Sequence, residues 1–261
     1  MPTTTEIDAG AGLRLRLTAY PGARTDARTA LVLHGGGGVG TVAGIAEHLA
    51  DGGWQVLLPT HPGWDGSTRP DHIDSIDDLA LAYLYLLAER DLHDVLVIGS
   101  SMGGWIGAQL ALIDAGSRIG GLVLIDAVGV DIPGEPITDF FALDARGIAE
   151  HSYHDPDRFA VDPSTLTEER RAQMANNVAA LRTYAGDPYM HDPRLALRLG
   201  RVQTPTAVIW GDSDRIVTPG YGKAYAELLP NARFVTVPEA GHLPQLEQPE
   251  ATFAILDAAL G

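Results

Sequence analysis

The chain has 261 residues, enough for one large domain or two small ones, and enough to bury a core without staples. It carries 18 Lys and Arg against 34 Asp and Glu, a formal net charge of −16, which argues against a general binder of nucleic acid or anionic membrane and suits neutral small-molecule substrates. With 45% apolar and 20% charged residues the composition is that of a globular protein, and the absence of cysteine excludes disulfide, cysteine–zinc and iron–sulfur chemistry.

The N-terminal stretch MPTTTEIDAGAGLRLRL has no basic region followed by an apolar one, so no secretory signal is read and a cytoplasmic location is expected. Short apolar runs bounded by Gly, Pro or Asp then alternate with longer segments of helical periodicity. Strands are predicted at 13–19, 30–33, 55–59, 94–98, 121–125, 206–210 and 233–237, and helices between them at 42–51, 76–89, 102–115, 220–229 and 250–260. Several strands are continuous Val/Leu/Ile runs, as in parallel strands covered on both faces. The longest apolar run, LALAYLYLLA at 79–88, is too short to span a bilayer, so membrane insertion is not expected. The alternation lapses over 130–203, where helix-like stretches at 137–150, 168–184 and 194–199 are punctuated by Asp-Pro pairs. That interval reads as a helical insertion, leaving 1–129 and 204–261 as a single core.

The sharpest local feature is Gly99-Ser100-Ser101-Met102-Gly103, between a predicted strand and a predicted helix. A Gly-x-Ser-x-Gly turn in that context presents the central serine from a strained backbone at the carboxyl end of a sheet. Only Ser101 has Gly on both sides at a spacing of two. A serine hydroxyl needs an adjacent base, and the base an orienting acceptor. Asp214 follows the strand at 206–210 and His242 follows the strand at 233–237, each placed directly after a strand.

These residues, with His34-Gly35-Gly36-Gly37-Gly38, Thr60-His61-Pro62-Gly63-Trp64-Asp65-Gly66-Ser67 and His242-Leu243-Pro244-Gln245-Leu246-Glu247-Gln248-Pro249, resemble the α/β-hydrolase superfamily from about residue 30 to residue 260. The resemblance implies a mostly parallel, twisted sheet of about eight strands with helices on both faces, and a helical cap inserted over the active site at 130–203. It implies Ser101 as nucleophile, His242 as general base and acid, and Asp214 as orienter of the imidazole. An oxyanion in acyl transfer needs backbone N–H donors; Met102 and Gly36 are the expected pair, with Gly37 as neighbour.

Other residues have plainer readings. Asp212 is set aside by the Gly-x-x-Asp-x-x-x-x-Pro spacing, which selects Asp214, and Asp126, at a strand end, is the reserve acid. His34 is expected to brace the Gly-rich loop. The Gly-rich loop lacks a Walker Lys, so nucleotide binding is not expected. His151, His154, Asp155 and Asp157 have ligand-like spacing but read as a solvated face, and no cofactor or metal is called for. Gly37, Trp64, Trp105, Phe140, Phe141 and Leu243 are expected to line a mainly apolar substrate pocket. The expected reaction is hydrolysis of carboxylic esters or lactones through an acyl-enzyme. Carbon–carbon-bond hydrolases of meta-cleavage diketones share much of the pattern, from which this chain departs at Ser100 and Leu243. A cofactor-free perhydrolase and a non-catalytic binding protein on the same fold are the remaining readings.

Overall fold

Alternate residues of a strand face opposite sides of a sheet, and the strand Thr29–Leu33 (β3) is apolar on both. Leu31 and Leu33 enter one core layer, whereas Ala30 and Val32 enter another. The computed structural model describes residues 1–10 and 12–260. Its sheet has eight strands, the others being Thr3–Asp8 (β1), Arg14–Tyr20 (β2), Gln55–Thr60 (β4), Val95–Ser100 (β5), Ile119–Ile125 (β6), Thr206–Gly211 (β7) and Ala232–Val237 (β8). They lie in the order β1-β2-β4-β3-β5-β6-β7-β8. The pairs β1·β2 and β2·β4 are antiparallel and the rest parallel.

The helices follow from the same pattern. Ala43–Asp51 (α1) and Pro249–Leu260 (α9) cover one face, bringing Ile45, Leu49 and Leu256 into the buried layer that also holds Val32 and Ile98. Ile76–Glu89 (α2), Met102–Asp114 (α3) and Pro219–Glu227 (α7) cover the other, bringing Leu79, Ile106 and Tyr225 into the buried layer that also holds Leu31 and Val97. The start of α2 is fixed by a capping box: the Ser75 hydroxyl accepts from the Asp78 N–H while the Asp78 carboxylate accepts from the Ser75 N–H. No helix among the described residues is long and apolar enough to cross a membrane.

The predicted strands and core helices all form, with ends shifted by a residue or two. Three expectations are corrected. β1 was not anticipated, because TTTEID holds a single apolar residue, Ile7; it is an edge strand held by its ladder to β2 and by the Thr4–Thr18 hydroxyl pair. The stretch 137–150 is broken into a 3-10 turn at Phe140–Ala142 and a helix Ala145–Ser152 (α4). Asp139 and Asp144 each cap a new start there through their carboxylates. The stretch 194–199 is a series of turns rather than a helix, with Asp192 accepting the Arg194 N–H. Between β6 and β7 lie also Pro156–Phe159 (α5) and Glu168–Ala185 (α6), and Pro244–Glu247 (α8) follows β8.

Candidate active site

Strand β5 runs straight into the turn that carries Ser101, whose backbone is left-handed at φ 55° and ψ −120°. An L-residue holds this conformation only when its surroundings impose it. The surroundings here are backbone: a Cβ on Gly103 would press on the carbonyl oxygen of Leu33 and lie 2.6 Å from its carbonyl carbon, and one on Gly99 would lie 2.6 Å from the nitrogen of Gly104. Both glycines are therefore required by close approach of strand, turn and helix.

The loops after β7 and β8 bring the partners. His242 Nε2 lies 2.9 Å from Ser101 Oγ, and His242 Nδ1 lies 2.8 Å from Asp214 Oδ2. Asp214 Oδ1 accepts the N–H groups of Ile216 and Val217 at 2.8 and 3.2 Å, so this carboxylate is compensated by donors although it is buried. An acceptor at Nδ1 makes that nitrogen the protonated one, leaving Nε2 free to accept the serine proton. Such a chain can convert Ser101 into a nucleophile at neutral pH.

Next to Ser101 the Gly-rich loop is held by its carbonyls. Trp64 Nε1–H donates to Gly36 O at 2.9 Å, while His34 Nδ1 at 2.7 Å and the Gly38 N–H at 3.2 Å both donate to Gly35 O. A trans peptide points its N–H opposite its carbonyl, so these bonds also set the directions of the Gly36 and Gly37 N–H groups. Neither N–H has an acceptor among the described residues. Met102 opens α3, and a first-turn N–H has no intrahelical acceptor.

Behind the loop, His34 and His61 form a buried pair of neutral rings. His34 Nε2 accepts the His61 N–H at 3.0 Å, His61 Nε2 donates to His34 O at 2.9 Å, and His61 Nδ1 accepts from the Tyr83 hydroxyl. Burial pushes His34 down to about 4 and His61 well below the usual histidine value of 6.5. A histidine whose pKa falls on folding contributes stability that is complete above pH 6.5 and is lost as the pH falls toward the folded value. For His34 this amounts to about 3 kcal/mol. Denaturant melts should therefore show a midpoint that declines from pH 6.5 downward, above the range where carboxylates titrate; a midpoint constant between pH 7 and pH 5 would count against this pair.

A cavity of about 360 Å³ opens from Ser101 and His242 toward the β6–β7 segment. Of the residues named from sequence for the pocket, Gly37, Phe140 and Leu243 stand in its wall, together with Gly36. Trp64, Trp105 and Phe141 do not. Trp64 is fully buried as the clamp on Gly36 and stacks on Tyr184; Trp105 packs against Gly129; Phe141 lies beneath the Arg182 guanidinium, 4.0 Å from the ring centre. Each large aromatic had a structural task that proximity in sequence to a motif does not reveal. The wall residues that sequence reasoning missed come mainly from α4 and α6: Ile148, Ala149, Arg170, Met174, Val178 and Leu181. The last four recur at helical spacing, a stripe that was readable had the helix been known to face a cavity.

Most polar groups of the wall are already engaged. Tyr189 donates to Thr138 O and accepts the Phe140 N–H, Thr41 donates to Gly38 O, and Asn177 is bonded through both side-chain atoms to Asp65. Among the described residues, Arg170 is the only permanently charged one in the wall. Ser100 turns its hydroxyl to the Gln245 amide at 3.3 Å. His151 and His154 are occupied elsewhere, on Gly147 O and the Ser213 hydroxyl.

The β6–β7 segment is joined to these loops in two ways. At α4 the tie is mainly main chain: the His242 N–H donates to Ser152 O at 2.7 Å and the Arg215 N–H to His151 O at 3.1 Å. The buried carboxylate of Glu247 adds to it by accepting the N–H groups of Gly241, His154 and Asp155. At α6 the tie is made by side chains, with Asp65 accepting from Gln173 and Asn177 while its other oxygen accepts the Val39 N–H.

The sequence profile of the alpha/beta hydrolase family matches residues 30–255. A 2-hydroxy-6-oxononadienedioate/2-hydroxy-6-oxononatrienedioate hydrolase of Cupriavidus pinatubonensis is 30% identical over 244 residues, covering 86% of this chain and 84% of that one. Among solved structures, a 2-hydroxy-6-oxo-6-phenylhexa-2,4-dienoate hydrolase from Rhodococcus superposes with a TM-score of 0.77 at 22% identity, over 100% of this chain and 99% of that one. A thermophilic esterase from Thermogutta terrifontis gives 0.75 at 23% identity, over 99% and 98%.

Proposed function

The chain belongs to the alpha/beta hydrolase family, and from that premise we propose that it is a serine hydrolase cleaving carboxylic esters or lactones of small, mainly apolar substrates. The observation that carries this reading is the hydrogen-bonded chain Ser101–His242–Asp214, of which Ser101 and His242 line an apolar cavity. In the proposed reaction His242 Nε2 takes the Ser101 proton as Oγ attacks the substrate carbonyl carbon. The resulting oxyanion accepts hydrogen bonds from the N–H groups of Met102 and Gly36, with Gly37 adjacent. His242 then passes its proton to the leaving alcohol, and water attacks the acyl-enzyme by the same route. Residues 130–203 act as a cap that supplies most of the wall and sets selectivity.

A second reading, carbon–carbon-bond hydrolysis of a meta-cleavage diketone, is favoured by the named relatives. Against it stand the wall's one cation among the described residues, Arg170, where the dioic acid in the Cupriavidus relative's name carries two carboxylates, and the engagement of Ser100 with Gln245. A panel of aryl esters of increasing acyl length, lactones and a dienoic meta-cleavage diketone separates the two. We expect kcat/KM for the best aryl ester to exceed that for the diketone by at least about tenfold, a difference of about 1.4 kcal/mol in transition-state binding. The reverse order would replace the ester reading by the carbon–carbon one. Labelling of Ser101 by a fluorophosphonate probe is expected as well; an unlabelled protein would leave only the binding-protein reading.

A further inference from the structure

Asp126 ends β6 with a left-handed backbone, φ 45°, and its carboxyl group is fully buried. Its Oδ1 accepts the Gly211 N–H at 2.9 Å, but its Oδ2 has no hydrogen-bond partner among the described residues. A buried polar atom left in that state calls for an explanation. One carboxyl oxygen of Asp126, one of Asp214 and one ring nitrogen of His242 lie within 4.8 Å of one another.

Three carboxyl groups meet in this region, and they differ in how many donors they have. Asp214 accepts two main-chain N–H groups and the His242 ring; Glu247, on α8, accepts three main-chain N–H groups. Asp126 accepts one. Neighbouring buried carboxylates do not both ionise, and the proton settles on the group whose anion is least compensated. That group is Asp126: burial, then the charge of Asp214, with a smaller contribution from Glu247, push its carboxyl well above the usual carboxylate range. Protonation turns the orphan oxygen from an unsatisfied acceptor into an O–H donor, and the carboxylate beside it is Asp214.

We propose that Asp126 is a neutral carboxylic acid whose Oδ2–H is shared with Asp214, a positioning residue that holds that carboxylate toward His242. The kinetic part of this inference rests on the serine-hydrolase reading above; the protonation state does not. Asparagine reproduces the neutral acid in shape, with an amide oxygen for the Gly211 N–H and an amide N–H for Asp214, whereas leucine supplies neither.

The test is an infrared spectrum of the full chain at pH 8 with Asp126→Asn as reference, followed by steady-state kinetics on an aryl ester. The wild type should show a protonated-carboxyl stretch, displaced in D₂O, that is missing from Asp126→Asn. Its absence from the wild type overturns the proposal. Asp126→Asn should keep kcat within about threefold of wild type. Asp126→Leu should lose about 10- to 100-fold in kcat at unchanged KM, as expected for a lost hydrogen bond to a charged group. An Asp126→Asn enzyme as impaired as Asp126→Leu would overturn the donor role even if the protein is fully folded. Should Ser101→Ala retain full turnover, the serine reading fails while the infrared result is decided independently.

Discussion

Replacing Ser101 by alanine is expected to lower kcat on an aryl ester by about 10⁴- to 10⁶-fold, with substrate binding and the thermal melt close to those of the wild type. The argument is geometric. Ser101 Oγ is the only hydroxyl bonded to His242 Nε2 among the described residues, so the variant keeps a base with nothing to deprotonate except water. What survives should be the part of catalysis that comes from binding and from the N–H groups of Met102 and Gly36, which in serine hydrolases of this design leaves a residual acceleration over water. The fold should be untroubled, because alanine deletes one oxygen from a half-buried position whose strained φ is imposed by the neighbouring glycines and not by the serine itself. Activity reduced less than tenfold in the purified variant would sink the assignment of the nucleophile.

The largest effect on stability is expected from Gly103→Ala. The added Cβ would meet the carbonyl groups of both Leu33 and His34, which are main-chain atoms at the end of a central strand. A flexible side chain could move aside; a carbonyl in the middle of the sheet cannot do so without disturbing β3 or α3. Overpacking of this kind costs about 3 kcal/mol or more. We expect a large fall in the denaturation midpoint and loss of most turnover even in whatever fraction stays folded, because the same shift displaces Ser101. Gly40→Ala, with no atom near its added Cβ, is the control and should melt like the wild type. A Gly103→Ala protein that also melts like the wild type would show that the turn is less tightly enclosed than described.

Most of the sheet was legible in the sequence because its central strands are buried on both faces and read as unbroken apolar runs; Val95–Ile98 and Leu122–Ile125 are instances. The turn at Ser101 and the positions of Asp214 and His242 were legible because the chemistry demands rare residues at strand ends. Where the reading failed, the determining partner was distant in the chain. Trp64 looked like pocket because it follows a motif, but its indole is committed to a carbonyl 28 residues away. β1 escaped because an edge strand can be held by its ladder with hardly any apolar side chains. The insertion was visible as an interval yet not in its parts, since Asp139 and Asp144 end and restart helices in a stretch whose apolar periodicity runs on past them. Asp126 was noticed only as a reserve acid; that its carboxyl is enclosed beside Asp214 depends on the register of β6 against β7, which no local pattern encodes.

The two unlike attachments of the β6–β7 segment give this protein an uneven capacity to diverge. Main-chain bonds from His242 and Arg215 to the end of α4 are indifferent to most substitutions, yet they forbid insertion or deletion there, since any change in length would drag the histidine and acid loops out of register. Along α6 the reverse holds. Its hold on the core depends on Gln173, which also accepts from Arg170, on Asn177, and on buried Leu181, which packs against Gly36, while Met174 and Val178 face the cavity without joining that attachment. Met174 and Val178, both partly exposed, can be exchanged with the least disturbance of the Ser101–His242–Asp214 chain, so the shape of the cavity can change by rewriting part of one face of one helix.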